Sequence, residues 1–147
     1  MARRRHLLTE SDVIDAVCRF LEARGYRVTQ KLNENQRGDD IIALDPRGES
    51  DVRIEAKGET SSKPRTSRFG KPFSASQVLD HVAKAFFRTA TYASCERRAG
   101  IALPGNPHHI ARIREIEPVL RRLHIEVFWV RPNGKVDVVG NWNSGSQ

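Results

Sequence analysis

The stretch Gly38-Asp39-Asp40-Ile41-Ile42-Ala43-Leu44-Asp45-Pro46-Arg47-Gly48-Glu49-Ser50-Asp51-Val52-Arg53-Ile54-Glu55-Ala56-Lys57-Gly58 decides how the rest of the chain is read. Ile41 to Leu44 is a short apolar run. Asp45-Pro46-Arg47-Gly48 after it is a turn signature, because proline presets its own φ and glycine accepts a positive one. Val52 to Lys57 alternates apolar with charged residues, the period of a strand, so Val52, Ile54 and Ala56 share one face and Arg53, Glu55 and Lys57 the other. Strands joined by a tight turn run antiparallel, which sets the beginning of the first opposite the end of the second. The spacing therefore predicts Asp40 beside Glu55 and Lys57.

Two carboxylates and an ammonium in one small region suit a hard divalent cation such as Mg²⁺, which takes one or two protein carboxylates and leaves its other positions to water and phosphate. Lys57 supplies a donor that can orient an attacking water or steady the charge developing on a phosphate. A polar strand face with Arg, Glu and Lys is also what a solvated face with cross-strand pairs presents, and on these residues alone both readings stand. Asp40 and Glu55 are expected to be partly solvated.

Toward the N-terminus, Val13, Ile14, Val17 and Leu21 recur at helical spacing between a Thr9 cap and a Gly25 stop. This predicts a helix over residues 10–24 with Cys18 on its apolar face. Tyr26 to Leu32 alternates as a strand. Toward the C-terminus, residues 59–76 read as a long loop with Gly70, Pro64, Pro72 and several Ser and Thr, carrying Lys63, Arg65, Arg68 and Lys71. Loops of this length inside a compact domain usually serve a function, and these side chains suit phosphate oxygens, with Phe69 and Phe73 available to stack. A solvated lid has the same composition.

Ser74 or Ser76 caps a second helix, in which Val78, Val82, Phe86 and Ala90 recur at four-residue steps to about Ala93. Gln77, His81 and Lys84 fall on another side of it, toward a substrate groove or toward water. Gly100 to Leu103 reads as a buried strand. Asn106 caps a third helix with Pro107 at its first position and Ile110, Ile113, Ile116, Leu120 and Leu123 as its core stripe. Pro118 is expected to kink or restart that helix. His108 and His109 are neighbours rather than four apart, so they do not read as a metal pair. Glu126 to Val130 is a strand, Asn133-Gly134 a hairpin turn, and residues 135–139 its return.

At 147 residues the chain is expected to form one domain, with a core over about residues 10–140, a flexible basic arm over 1–8 and a flexible tail over 141–147. Twenty-five Lys and Arg against 18 Asp and Glu give a formal charge of +7, which favours a polyanionic partner, nucleic acid being the commonest. Because the carboxylate cluster is acidic, the basic excess must lie elsewhere. Arg3, Arg4 and Arg5 read as an arm that touches phosphates or as a solubilising terminus. No segment has the composition of a membrane span or secretory signal, and two distant cysteines fit a reducing cytoplasm.

Asp40, fourteen intervening residues, and then Glu55-Ala56-Lys57 resembles the PD-(D/E)xK nuclease superfamily. Gly38-Asp39-Asp40-Ile41 and Ile54-Glu55-Ala56-Lys57-Gly58 look like the forms in its Holliday-junction resolvase and methylation-directed restriction branches. The resemblance spans about residues 10–130 and implies a restriction-endonuclease-like core: a mixed central β-sheet flanked by helices, in the order α-β-β-β-α-β-α-β-β. It implies a Mg²⁺-dependent deoxyribonuclease, with Mn²⁺ as a substitute. Asp40, Glu55 and the carbonyl of Ala56 would hold the metal, Lys57 would orient the nucleophile, and DNA would be the substrate. It also makes Glu10, with Asp15 second, the candidate acidic residue from the first helix, although an acidic first turn is equally a response to the helix dipole. Gln77 is similar to the helix glutamine near the active site in the methylation-directed branch. Lys63, Arg65, Arg68, Lys71 and Lys84 are the candidate nucleic-acid contacts. A homodimer fits enzymes that cut both strands. The alternative is a catalytically silent module on the same fold that binds nucleic acid or a protein.

Overall fold

The computed structural model describes residues 6–32, 36, 38–61 and 70–140. The elements follow the expected order: α1 (Glu10–Ala23), β1 (Arg27–Lys31), β2 (Ile41–Leu44), β3 (Asp51–Ala56), α2 (Ala75–Ser94), β4 (Arg98–Pro104), α3 (Pro107–Arg122), β5 (Glu126–Val130) and β6 (Val136–Val139). Each helix begins where a short polar side chain satisfies amides that the helix leaves open. Thr9 and Asp12 form a reciprocal capping box on α1, Ser74 and Gln77 form another on α2, and the Asn106 side chain accepts from His109 N at 2.9 Å on α3.

The six strands lie in chain order in one mixed sheet. β1, β2 and β3 pair antiparallel, β3, β4 and β5 pair parallel, and β6 returns antiparallel to β5. The parallel steps β3-α2-β4 and β4-α3-β5 advance in the same direction. Since such crossovers keep one hand, both helices fall on the same face. The other face is left to α1, whose Val13, Ile14, Val17 and Leu21 pack against Ile41, Val52, Ile54, Ala102 and Phe128. Opposite, Val78, Val82 and Ala85 of α2 and Ile113 and Leu120 of α3 pack against Ile101, Leu103 and Val127. α2 and α3 sit over the parallel half of the sheet, so the polar face of β3 opens at the flank of α2.

Three expectations change. Leu8 does not belong to a flexible arm: it is 3% exposed, and its peptide N–H donates to Glu59 Oε2 at 2.9 Å. Pro118 neither kinks off nor restarts α3, which is assigned continuously from Pro107 to Arg122. Pro118 and Arg114 are both exposed, so the Arg114 carbonyl that loses its amide partner faces water. Leu123 is the C-cap of α3, 37% exposed, and lies outside the core stripe. The tail over residues 141–147 and the arm at Arg3, Arg4 and Arg5 lie outside the described residues.

Candidate active site

Register brings the acidic pair together. Ile41 pairs with Ile54, so Asp40 lies across from the end of β3, and its Oδ2 accepts from Ala56 N at 2.8 Å. Lys57 continues the sheet by donating its amide to the Ala102 carbonyl at 3.0 Å, which fixes its side chain on the Glu55 side. The Lys57 Nζ lies 3.7 Å from Glu55 Oε1, and the two side chains are only 20% and 14% exposed. Asp40 and Glu55 are near enough that the charge of one bears on the ionisation of the other.

The carboxylates are more enclosed than their alternating strand suggests, because α2 covers the flank of β3. Burial, reinforced by the Asp40 charge, pushes the Glu55 carboxyl up to about 7 against the pull of Lys57 and Arg88. Burial likewise raises Asp40, with the Ala56 amide and Lys57 pulling the other way. Near neutrality Glu55 is therefore partly protonated. Glu55 Oε2 is buried with no hydrogen-bond partner, an orphaned acceptor beside a second carboxyl.

These groups form one wall of an open cleft of about 740 Å³, with Ala83, Lys84, Phe87, Arg88 and Thr91 of α2 as another wall and Glu10 at its edge. Glu10 reaches the cleft although α1 packs on the opposite face of the sheet, because the start of α1 lies directly on Gly58. A Cβ at Gly58 would sit 2.4 Å from Glu10 N. Glu59 holds the same junction: its backbone amide donates to the Leu8 carbonyl, and its buried carboxylate accepts from Leu8 N and from Asn106 Nδ2 at 3.1 Å. Asp15 is elsewhere, paired with Lys31 of β1.

The other sequence candidates divide. Lys84 lines the cleft. Gln77 does not: its side-chain oxygen accepts from Ser74 N at 2.8 Å in the α2 capping box. Lys71 is exposed, and its carbonyl accepts from the Thr60 hydroxyl at 2.7 Å, while Phe73 N donates to the Glu59 carbonyl, so the ends of the long loop are tied together. Lys63, Arg65 and Arg68 lie outside the described residues.

Two neighbours, Asp39 and Phe87, carry weight that the sequence reading missed, and His81 was left there between groove and water. Asp39 is 8% exposed and accepts from both Arg53 and Arg88, which anchors the strand face and α2 to the segment that delivers Asp40. His81 is half-buried, its ring meets Phe73 edge to face at 4.7 Å, and its Nδ1 is buried without a partner. Burial first, then the Lys57 and Lys84 charges, lower its pKa, so it is mainly neutral at pH 7. Phe87, overlooked because Phe86 satisfied the apolar period, stands 72% exposed in the cleft. Asp39 left a signal as one of two adjacent aspartates before a strand, and His81 left one in its helical spacing from Gln77 and Lys84; Phe87 left none.

Among the described residues no three His, Cys, Asp or Glu side chains converge as a ready metal-binding set. The donor set is a carboxylate pair, with Glu10 on the cleft edge. That suits Mg²⁺, which needs only one or two carboxylates, and the orphaned Glu55 oxygen is an acceptor a cation would satisfy. A second hollow of about 590 Å³ lies between α3 and β5–β6, lined by Ile110, Ile113, Leu120 and Trp129 among others. Glu117 and Glu126 also line it, but each carboxylate is paired with an arginine, Arg121 and Arg98 respectively.

Fold and cleft define a mixed α/β protein with a desolvated carboxylate pair and a lysine at the end of a central strand. No protein-family model matches the chain, and no curated protein matches it. A solved structure from Pyrococcus furiosus, SfsA in complex with Ca²⁺, aligns with 85% of this chain and 58% of its own, at 15% identity and a TM-score of 0.37. This chain thus spans under two thirds of that protein. A likeness at this level carries no weight, and the functional reading rests on the residues of the cleft. Among the described residues, no helix is long and apolar enough to cross a membrane.

Proposed function

We propose that this chain is a metal-dependent nuclease with a restriction-endonuclease-like core, hydrolysing phosphodiester bonds in DNA. One observation carries the reading: Asp40 and Glu55, with raised pKa values and one orphaned oxygen, meet Lys57 in an open cleft. Asp40, Glu55 and the Ala56 carbonyl are the groups that would hold Mg²⁺, or Mn²⁺ in its place. When bound, such an ion supplies positive charge to a phosphate oxygen and acidifies water.

The chain's own residues account for the rest. Glu55 would have to lose its proton to hold a cation, so loading is expected to strengthen as pH rises through about 7. Lys57 is the ammonium closest to that charge. It is placed to orient the water whose oxygen attacks phosphorus and to donate to the phosphate as charge builds on it. Glu10 lines the cleft and can reach the site through water. Lys84 on the cleft wall would hold the backbone, with Arg88, which also pairs with Asp39, beside it.

The test is incubation with plasmid, linear duplex and single-stranded DNA in Mg²⁺, in Mn²⁺ and in chelator. Metal-dependent cleavage that Asp40→Asn and Glu55→Gln both abolish is the expected result. A folded wild type that cleaves none of these would overturn the reading in favour of a silent binding module.

A further inference from the structure

The wall of the cleft on α2 carries an aromatic ring that packing does not explain. Phe87 is 72% exposed, while its neighbour Phe86 packs into the core. Lys84, Phe87, Arg88 and Thr91 are spaced i, i+3, i+4 and i+7, so they share one helix face, and all four line the cleft that holds Asp40, Glu55 and Lys57. That face sets an exposed ring beside Lys84 and beside Arg88, whose guanidinium also pairs with Asp39 and donates to the Tyr92 hydroxyl, in the cleft that holds the carboxylates.

Unpaired nucleotides match such a surface. Their bases offer open π-faces to an aromatic ring, and their phosphates meet the flanking cations. In a regular duplex the π-faces are stacked inside and only base edges and backbone reach a protein, so a projecting phenylalanine has nothing to stack on. A second copy of the chain fits less well. Leu79, Ala83 and Phe87 would make an apolar stripe for it, but a two-fold contact there would oppose Lys84 and Arg88 to their own equivalents.

We propose that Phe87 is a stacking platform for an unpaired base beside the bond to be cut, so that the site takes single-stranded or locally unpaired DNA in preference to regular duplex. The position of the cut rests on the nuclease reading above; the stacking itself is measured by binding alone.

The experiment is fluorescence anisotropy of a labelled single strand, and of the same strand in a blunt duplex, with wild type, Phe87→Ala and Phe87→Trp in chelator, so that cleavage plays no part. The expected result is tighter binding of the single strand by wild type and a loss of about tenfold on that strand in Phe87→Ala. Duplex affinity and the salt slope should stay unchanged, because no phosphate contact is removed, and Phe87→Trp should retain binding. Equal loss on both DNAs, or loss on neither, would overturn the platform. So would sedimentation showing a wild-type dimer that Phe87→Ala dissociates, which assigns the face to self-association. Wild type that stacks single strands through Phe87 but cuts nothing would refute the nuclease reading and leave the platform standing.

Discussion

Glu55 is held where its charge is unwelcome, between a second carboxyl and the flank of α2. Its folded pKa of about 7 lies above the ordinary 4.5, so the folded state binds the proton more tightly than the unfolded chain does. The contribution of this group to stability is therefore fully present below about pH 4.5 and is lost as pH rises through 7. In chelator, Glu55→Gln should equal wild type in stability near pH 5 and exceed it at pH 8 by on the order of 1–3 kcal/mol. Thermal melts at the two pH values check this, and parallel pH profiles for both proteins would contradict it. The meeting of Asp40, Glu55 and Lys57 was legible in the sequence, because strict alternation and one tight turn fix a hairpin's register. Their desolvation was not legible: it depends on where α2 lies, and no feature of β3 encodes that.

At the scale of elements, the junction between β3 and α1 orders the cleft. Gly58 is required for close approach: a methyl group there would collide with the Thr9–Glu10 peptide, Glu10 N at 2.4 Å and Thr9 C at 2.6 Å. Gly58→Ala should force the start of α1 away and cost about 1–3 kcal/mol, read by urea unfolding. It should also withdraw Glu10 from the cleft edge. An alanine variant as stable as wild type would show that the approach is looser than described. Element order and most boundaries were readable because Thr9, Ser74 and Asn106 mark helix starts and strand periods differ from helical ones. Glu59 reads as loop in sequence yet is 3% exposed, since its partners at Leu8 and Asn106 are about fifty residues away along the chain. Pro118 misled for a related reason: a helix with a wet outer face tolerates one missing amide there.

For the molecule as a whole, the formal charge is +7 and the cleft sets Lys57, Lys84 and Arg88 among its carboxylates, so basic side chains can draw in a backbone that the carboxylates alone would repel. DNA affinity should fall steeply with salt. Replacing Lys63, Arg65, Arg68 and Lys71 together by Gln should flatten the slope of log affinity against log salt by somewhat under one unit for each phosphate contact removed. An unchanged slope would assign the backbone to Lys84 and Arg88 on the cleft wall instead. The central claim, that the Asp40–Glu55–Lys57 cluster performs hydrolysis, is met most directly by the single-turnover cleavage rate of Lys57→Ala, with DNA and metal binding measured on the same preparation. Both bindings should be largely retained while the rate falls at least about a hundredfold, the scale of one charge-stabilising donor lost. Cleavage by Lys57→Ala at the wild-type rate, in protein free of contaminating nuclease, would contradict it.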